Sequence, residues 1–97
     1  MRPVPPELPR IVEELDRIDA GFVQGNESTH YISIEKSAGG VLAVKANVEG
    51  LIHLGKQILA VAAKGFTGAH FHLDEAGMAD RCDQPIAFVL GPAEWDK

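Results

Sequence analysis

The chain has one cysteine, Cys82, among 97 residues, so it cannot close an intramolecular disulfide. A lone thiol suits a reducing compartment, and a cytoplasmic location is expected. Long apolar runs are missing as well. No stretch approaches the roughly 20 apolar residues that span a bilayer, and the opening MRPVPPELPR lacks the apolar core of a secretory signal. Neither a membrane partner nor a leader is expected. Basic residues are scarce, with nine Lys and Arg against 14 Asp and Glu, a formal net charge of −5 that repels nucleic-acid phosphates. The acid excess lies late in the chain: residues 66–97 hold six acids and two bases, whereas 21–65 hold three acids and four bases. There is no internal repeat, no phosphate-cradling glycine loop, and no nucleophile-elbow setting around Ser28, Ser33 or Ser37. Cys82 lies between acids in Asp80-Arg-Cys-Asp83, a setting that disfavours a thiolate nucleophile.

What the chain does contain is enough apolar residue, 45%, for one small core, so residues 1–97 read as a single domain. Its clearest element is a helix opened by Asn47 and closed by Lys64-Gly65. Asn47 can accept first-turn amides, Glu49 complements the positive end of the dipole, and glycine favours the left-handed cap. Leu51, Leu54, Ile58 and Val61 form the apolar stripe, leaving His53, Lys56, Gln57 and Lys64 toward water. Gly50 and Gly55 each cost roughly 1 kcal/mol in a helix interior. Each is either the seat of a close backbone approach or simply tolerated.

Residues 1–6 are proline-rich and extended. An N-terminal helix follows from Pro6–Leu8, with Leu8, Ile11, Val12, Leu15 and Ile18 on one side, and Gly21 ends it. After a polar turn at residues 24–28, strand alternation over 29–35 turns Ile32 and Ile34 inward. A turn at Lys36–Gly40 leads into a strand at 41–46 whose core candidates are Leu42 and Val44. Beyond the central helix, Ala69, Phe71 and Leu73 alternate with His70, His72 and Asp74. A polar loop at 75–84 then leads to a last strand, Ile86–Leu90, and a tail at 91–97 that carries Trp95. The fold class expected is α+β in the order α-β-β-α-β-β: a two-layer sandwich with a four-stranded, mostly antiparallel sheet, one helix on one face and an extra N-terminal helix. The second sheet face is open, covered by the first helix, or met by another chain.

His70, His72, Asp74 and Glu75 make the densest group of ligand and acid-base side chains. Two histidines at i and i+2 on a strand point the same way and can chelate Zn²⁺, with Asp74 as a third ligand. The run resembles the His-x-His-x-Asp-His signature of metallo-β-lactamase-like hydrolases, but position 75 is Glu and the chain is too short for that fold. No catalytic residue and no cofactor is assigned, zinc at His70, His72 and Asp74 being the alternative. His30 is expected at a strand rim and His53 in solvent.

The run from Asn47-Val-Glu-Gly-Leu to Lys-Gln-Ile-Leu59, then Gly68-Ala-His-Phe-His-Leu-Asp-Glu75 and the closing strand Pro-Ile-Ala-Phe-Val-Leu90, resembles the immunity protein 32 family of polymorphic toxin systems over about residues 41–90. The resemblance implies a non-enzymatic protein that binds and neutralises a cognate protein toxin. Beside it, a display of Tyr31, Glu35, Lys45, His70, His72, Asp74 and Glu75 on the second sheet face would suit a cationic partner. A small metal enzyme and a homodimeric structural module are the other readings.

Overall fold

A computed structural model describes residues 3–24 and 27–95. The first helix, α1 (Leu8–Ala20), takes Pro9 in its first turn and has no side-chain N-cap. Val23–Gln24 (β1) and Glu27–Ser28 (β2) pair antiparallel where a polar turn was expected; the tip of that turn, residues 25 and 26, lies outside the described residues. Ile32–Lys36 (β3) and Leu42–Ala46 (β4) form the expected hairpin, with Ile34 opposite Val44. Its turn is closed by Ser37, whose Oγ accepts the Val41 amide at 3.1 Å.

The central helix α2 (Val48–Lys64) forms as its caps predict. The Asn47 side chain accepts the Gly50 amide at 2.8 Å, and Gly65 closes the helix at φ +74°, in the left-handed region. Leu54 and Val61 are buried as expected, whereas Leu51 and Ile58 stay exposed, so the buried face is narrower than the apolar stripe. The two interior glycines separate cleanly. A Cβ on Gly50 would stand 2.5 Å from the Tyr31 carbonyl oxygen, while one on Gly55 would meet nothing within 4 Å. Gly50 is the seat of a close backbone approach, and Gly55 is simply tolerated.

After α2 the topology departs from expectation. His70–Leu73 (β5) pairs antiparallel with Ile86–Val89 (β7) as a ribbon of its own. The second edge of β3 is taken instead by Arg81–Cys82 (β6), which runs parallel to it, giving the order β4-β3-β6. The single four-stranded, mostly antiparallel sheet is therefore corrected to an α+β arrangement of small mixed sheets. The physical reason is the pair of aspartates that flank β6. The Asp80 carboxylate accepts the Ile32 amide at 2.8 Å and the Asp83 carboxylate accepts the Lys36 amide at 3.0 Å. The Asp80 and Asp83 amides in turn donate to the carbonyls of Ile32 and Ile34. This edge of β3 is saturated, and β5 cannot join it.

Ile32, Ile34 and Leu73 are fully buried, with Leu54 and Ala79 beside them. Phe71 and Phe88 stack across β5 and β7 with ring centroids 5.0 Å apart. The other helix, α1, packs along α2 beside His53, Lys56 and Gln57, about a quarter turn around α2 from the buried Leu54. Among the described residues, no helix is long and apolar enough to cross a membrane.

Gly55→Ala should stabilise the protein by about 0.5–1 kcal/mol, raising the melting temperature by roughly 4–8 °C per kcal/mol. Gly50→Ala should lower it, because Cβ and the Tyr31 oxygen cannot both stay where they are. Thermal melts of the two variants beside the wild type check both signs.

Candidate functional site

The strand phase on which the proposed display depends is observed. His70 and His72 are exposed while Leu73 is buried and Phe71 half-buried. The two imidazoles lie 5.1 Å apart, and His70 Nδ1 sits 2.8 Å from the Gly68 carbonyl oxygen. The Asp74 carboxylate accepts the Gly77 amide at 2.8 Å and so caps its own turn; Glu75 is exposed.

Glu35 and Lys45 belong to the other sheet, and Tyr31 immediately precedes its central strand. Opposite the Ile32 and Ile34 face, register sets Ser33 between Lys45 and Arg81. Glu35 receives the Ser33 hydroxyl at 2.8 Å and Lys45 Nζ at 3.2 Å, with Arg81 at 3.8 Å. The Ser33 and Lys45 hydrogen bonds hold the Glu35 carboxyl below its ordinary value. Asp83 is held low by the Lys36 amide and then by Arg81. The charges of this face are thus largely spent on one another. The seven display residues are divided between two sheets, with Tyr31 half exposed at the start of β3.

A second group gathers where α1, the connection into β3 and α2 meet, and sequence reasoning missed it. Asp19, on the last turn of α1, is 5% exposed; it stands one helical repeat beyond Leu15 on the apolar stripe of that helix, a spacing that could have marked it for burial. Its Oδ2 accepts from Lys56 Nζ at 2.8 Å and lies 2.6 Å from His53 Nδ1; its Oδ1 lies 2.7 Å from His30 Nε2. Lys56 also reaches Asp16, at 3.1 Å. The rings of His30 and His53 stack with centroids 4.4 Å apart. The expectations of a rim His30 and a solvated His53 are corrected, because packing of α1 shields both. Their side chains are 15% and 20% exposed. Burial pushes the Asp19 pKa up, but hydrogen bonds from Lys56 and His53 outweigh it and hold the carboxyl below its ordinary value. Burial pushes Lys56 down, and its bonds to Asp19 and Asp16 leave it raised.

Asn47 aims His30. Its Oδ1 accepts the Tyr31 amide at 3.0 Å, and its Nδ2 donates to the Thr29 carbonyl at 2.9 Å, so the backbone on both sides of His30 is tied to the start of α2. Ser28 Oγ accepts the His30 amide at 3.1 Å and also bonds its Nδ1. His30 and His53 line a cleft of about 490 Å³ together with Ser28, Phe71, His72 and Asp80. Thus His72, one of the displayed residues, borders the same cleft as the buried pair.

Because the folded pKa of Asp83 is depressed, its contribution to stability is complete above 3.8, the ordinary value, and is lost as pH falls through the folded one. Urea melts of Asp83→Asn and wild type should differ at neutral pH and converge in acid. A gap that is constant with pH would show that the carboxylate charge contributes nothing.

No curated protein and no solved structure matches the chain significantly. The family model of immunity protein 32 matches residues 41–91, more than half of the chain. That span runs from β4 through α2, β5 and β6 to the end of β7, and so includes His53, His70 and His72 but neither Asp19 nor His30. On this match the chain belongs to the immunity protein 32 family.

Proposed function

We propose that this protein neutralises a cognate protein toxin by binding it and occluding its working surface. The observation that carries the reading is family membership over residues 41–91. Its physical support is a set of side chains that the core does not use. Tyr31 is 52% exposed, and His70, His72 and Glu75 project from short, well-hydrogen-bonded elements.

A half-exposed tyrosine supplies contact area at small entropic cost, the usual profile of an interface anchor. At the end of β5, Asp74 and the exposed Glu75 supply negative charge for a cationic toxin cleft, whereas Glu35 and Lys45, on the other sheet, are paired with each other. The net charge of −5 adds long-range attraction to such a target. Inhibition of this kind needs shape and charge complementarity and no chemistry by the inhibitor.

The test is co-expression with the product of the adjacent gene, followed by binding of the two purified proteins. Protection of the cells and a stable complex are expected. Tyr31→Ala should weaken the complex by roughly 2 kcal/mol, about 30-fold, and added salt should slow association. A partner that neither binds nor is inhibited would overturn the reading. A doubled mass in solution with no toxin binding would favour the homodimer instead.

A further inference from the structure

We propose that Asp19, His30 and His53 form a binding site for one divalent transition-metal ion, of which Zn²⁺ is the representative. One ligand atom from each of the three lies within 4.8 Å of the others. They come from three separate elements, α1, the connection before β3, and α2, so their convergence is a product of the fold rather than of local spacing.

Two further observations point to a ligand. First, Asp19 Oδ1 and His30 Nε2 are both out of contact with solvent and stand 2.7 Å apart, yet among the described residues neither makes a hydrogen bond of acceptable geometry. Buried polar atoms are almost always satisfied, and a cation between a carboxylate oxygen and an imidazole nitrogen would satisfy both. Second, Lys56, the ammonium beside Asp19, is shared with the solvent-exposed carboxylate of Asp16, so it does not belong to Asp19 alone.

The donor set selects the ion. Two imidazoles and one carboxylate suit Zn²⁺, Fe²⁺, Co²⁺ or Ni²⁺, whereas Ca²⁺ and Mg²⁺ prefer all-oxygen sites. Supporting bonds of the usual kind are present: Ser28 Oγ holds the other nitrogen of His30, and Lys56 holds the second oxygen of Asp19. Donors about 2.0–2.1 Å from a tetrahedral zinc are roughly 3.3 Å apart. The 2.7 Å contact of His30 Nε2 with Asp19 Oδ1 would have to open by less than an ångström, and His53 Nδ1 would have to exchange its 2.6 Å contact with Asp19 Oδ2 for the ion.

His30 and His53 also line the 490 Å³ cleft, so a fourth coordination position would face it, open to water or to a side chain of a bound protein. Asp19 and His30 lie outside residues 41–91, so this site depends on the chain's own N-terminal region. It stands independently of toxin binding, since metal binding can be read on the protein alone.

The experiment is calorimetric titration of the untagged full chain with Zn²⁺, and a parallel titration with Co²⁺ followed by its visible absorption. One equivalent should bind, with a rise in melting temperature. His30→Gln and His53→Gln should each weaken binding by at least about tenfold, and His70→Ala, away from the cleft lining, should leave it unchanged. Lys56→Met should tighten it, because the ammonium competes for Asp19. Should a variant fail to fold, imidazole resonances of the wild type decide: zinc must shift those of His30 and His53 and spare that of His70. Absence of one-equivalent binding, or shifts at His70 and His72 alone, would overturn the proposal.

Discussion

The Asn47 side chain is the joint from which the geometry of the candidate sites follows. One oxygen accepts both the Gly50 amide at the start of α2 and the Tyr31 amide at the entry to β3. The bond to Gly50 is an ordinary helix cap, while the bond to Tyr31 turns that cap into a long-range clamp. It brings backbone against backbone so closely that only glycine fits at position 50. Because Thr29 and Tyr31 are both held, the side chain between them has little freedom, and His30 is delivered to His53, which rises from the next turn of α2. An unsatisfied amide at a helix start is costly, and here that cost is relieved by the same atom that fixes the site.

A second constraint acts at the other end of the strand layer. With β4 on one edge and β6 on the other, β3 has no free hydrogen-bonding edge, and Ile32 and Ile34 reach complete burial. Asp80 and Asp83 do what a longer strand would do with backbone alone, supplying carboxylate acceptors to β3 amides beyond the two-residue pairing. This lets a short, charged segment serve as a strand. It also leaves β5 and β7 as a separate ribbon, held to the rest through Leu73, Phe71 and Phe88 in the shared core. The displayed histidines thus sit on a ribbon whose stability comes from side-chain packing more than from sheet extension.

The acidic character of the chain divides into two uses. Glu35 and Asp83 are neutralised in place by Lys45, Arg81 and backbone amides. Asp19 is buried against Lys56 and two imidazoles, and the hydrogen bonds from Lys56 and His53 offset the cost of taking its carboxylate out of water. Glu75, by contrast, is exposed and makes no contact in either cluster, and is free to act at a distance.

Periodicity, caps and strand phase were open to reading from the chain alone. The helix from Asn47 to Gly65, the hairpin around residues 36–41, the inward turn of Ile32, Ile34 and Leu73, and the outward turn of His70 and His72 are each set by neighbours within a few residues. The family relationship was legible in the same stretch, since it rests on the pattern from the second strand of that hairpin to the last strand. Partnership between distant segments was not legible. Whether β6 or β5 takes the free edge of β3 depends on two aspartates meeting amides 47 and 48 residues away. Whether His53 meets water or Asp19 depends on which side of α2 receives α1, and the polar residues on that side looked like a solvated face. Local interactions are specified by spacing along the chain, whereas burial of a polar residue is settled only when a second element is laid over it.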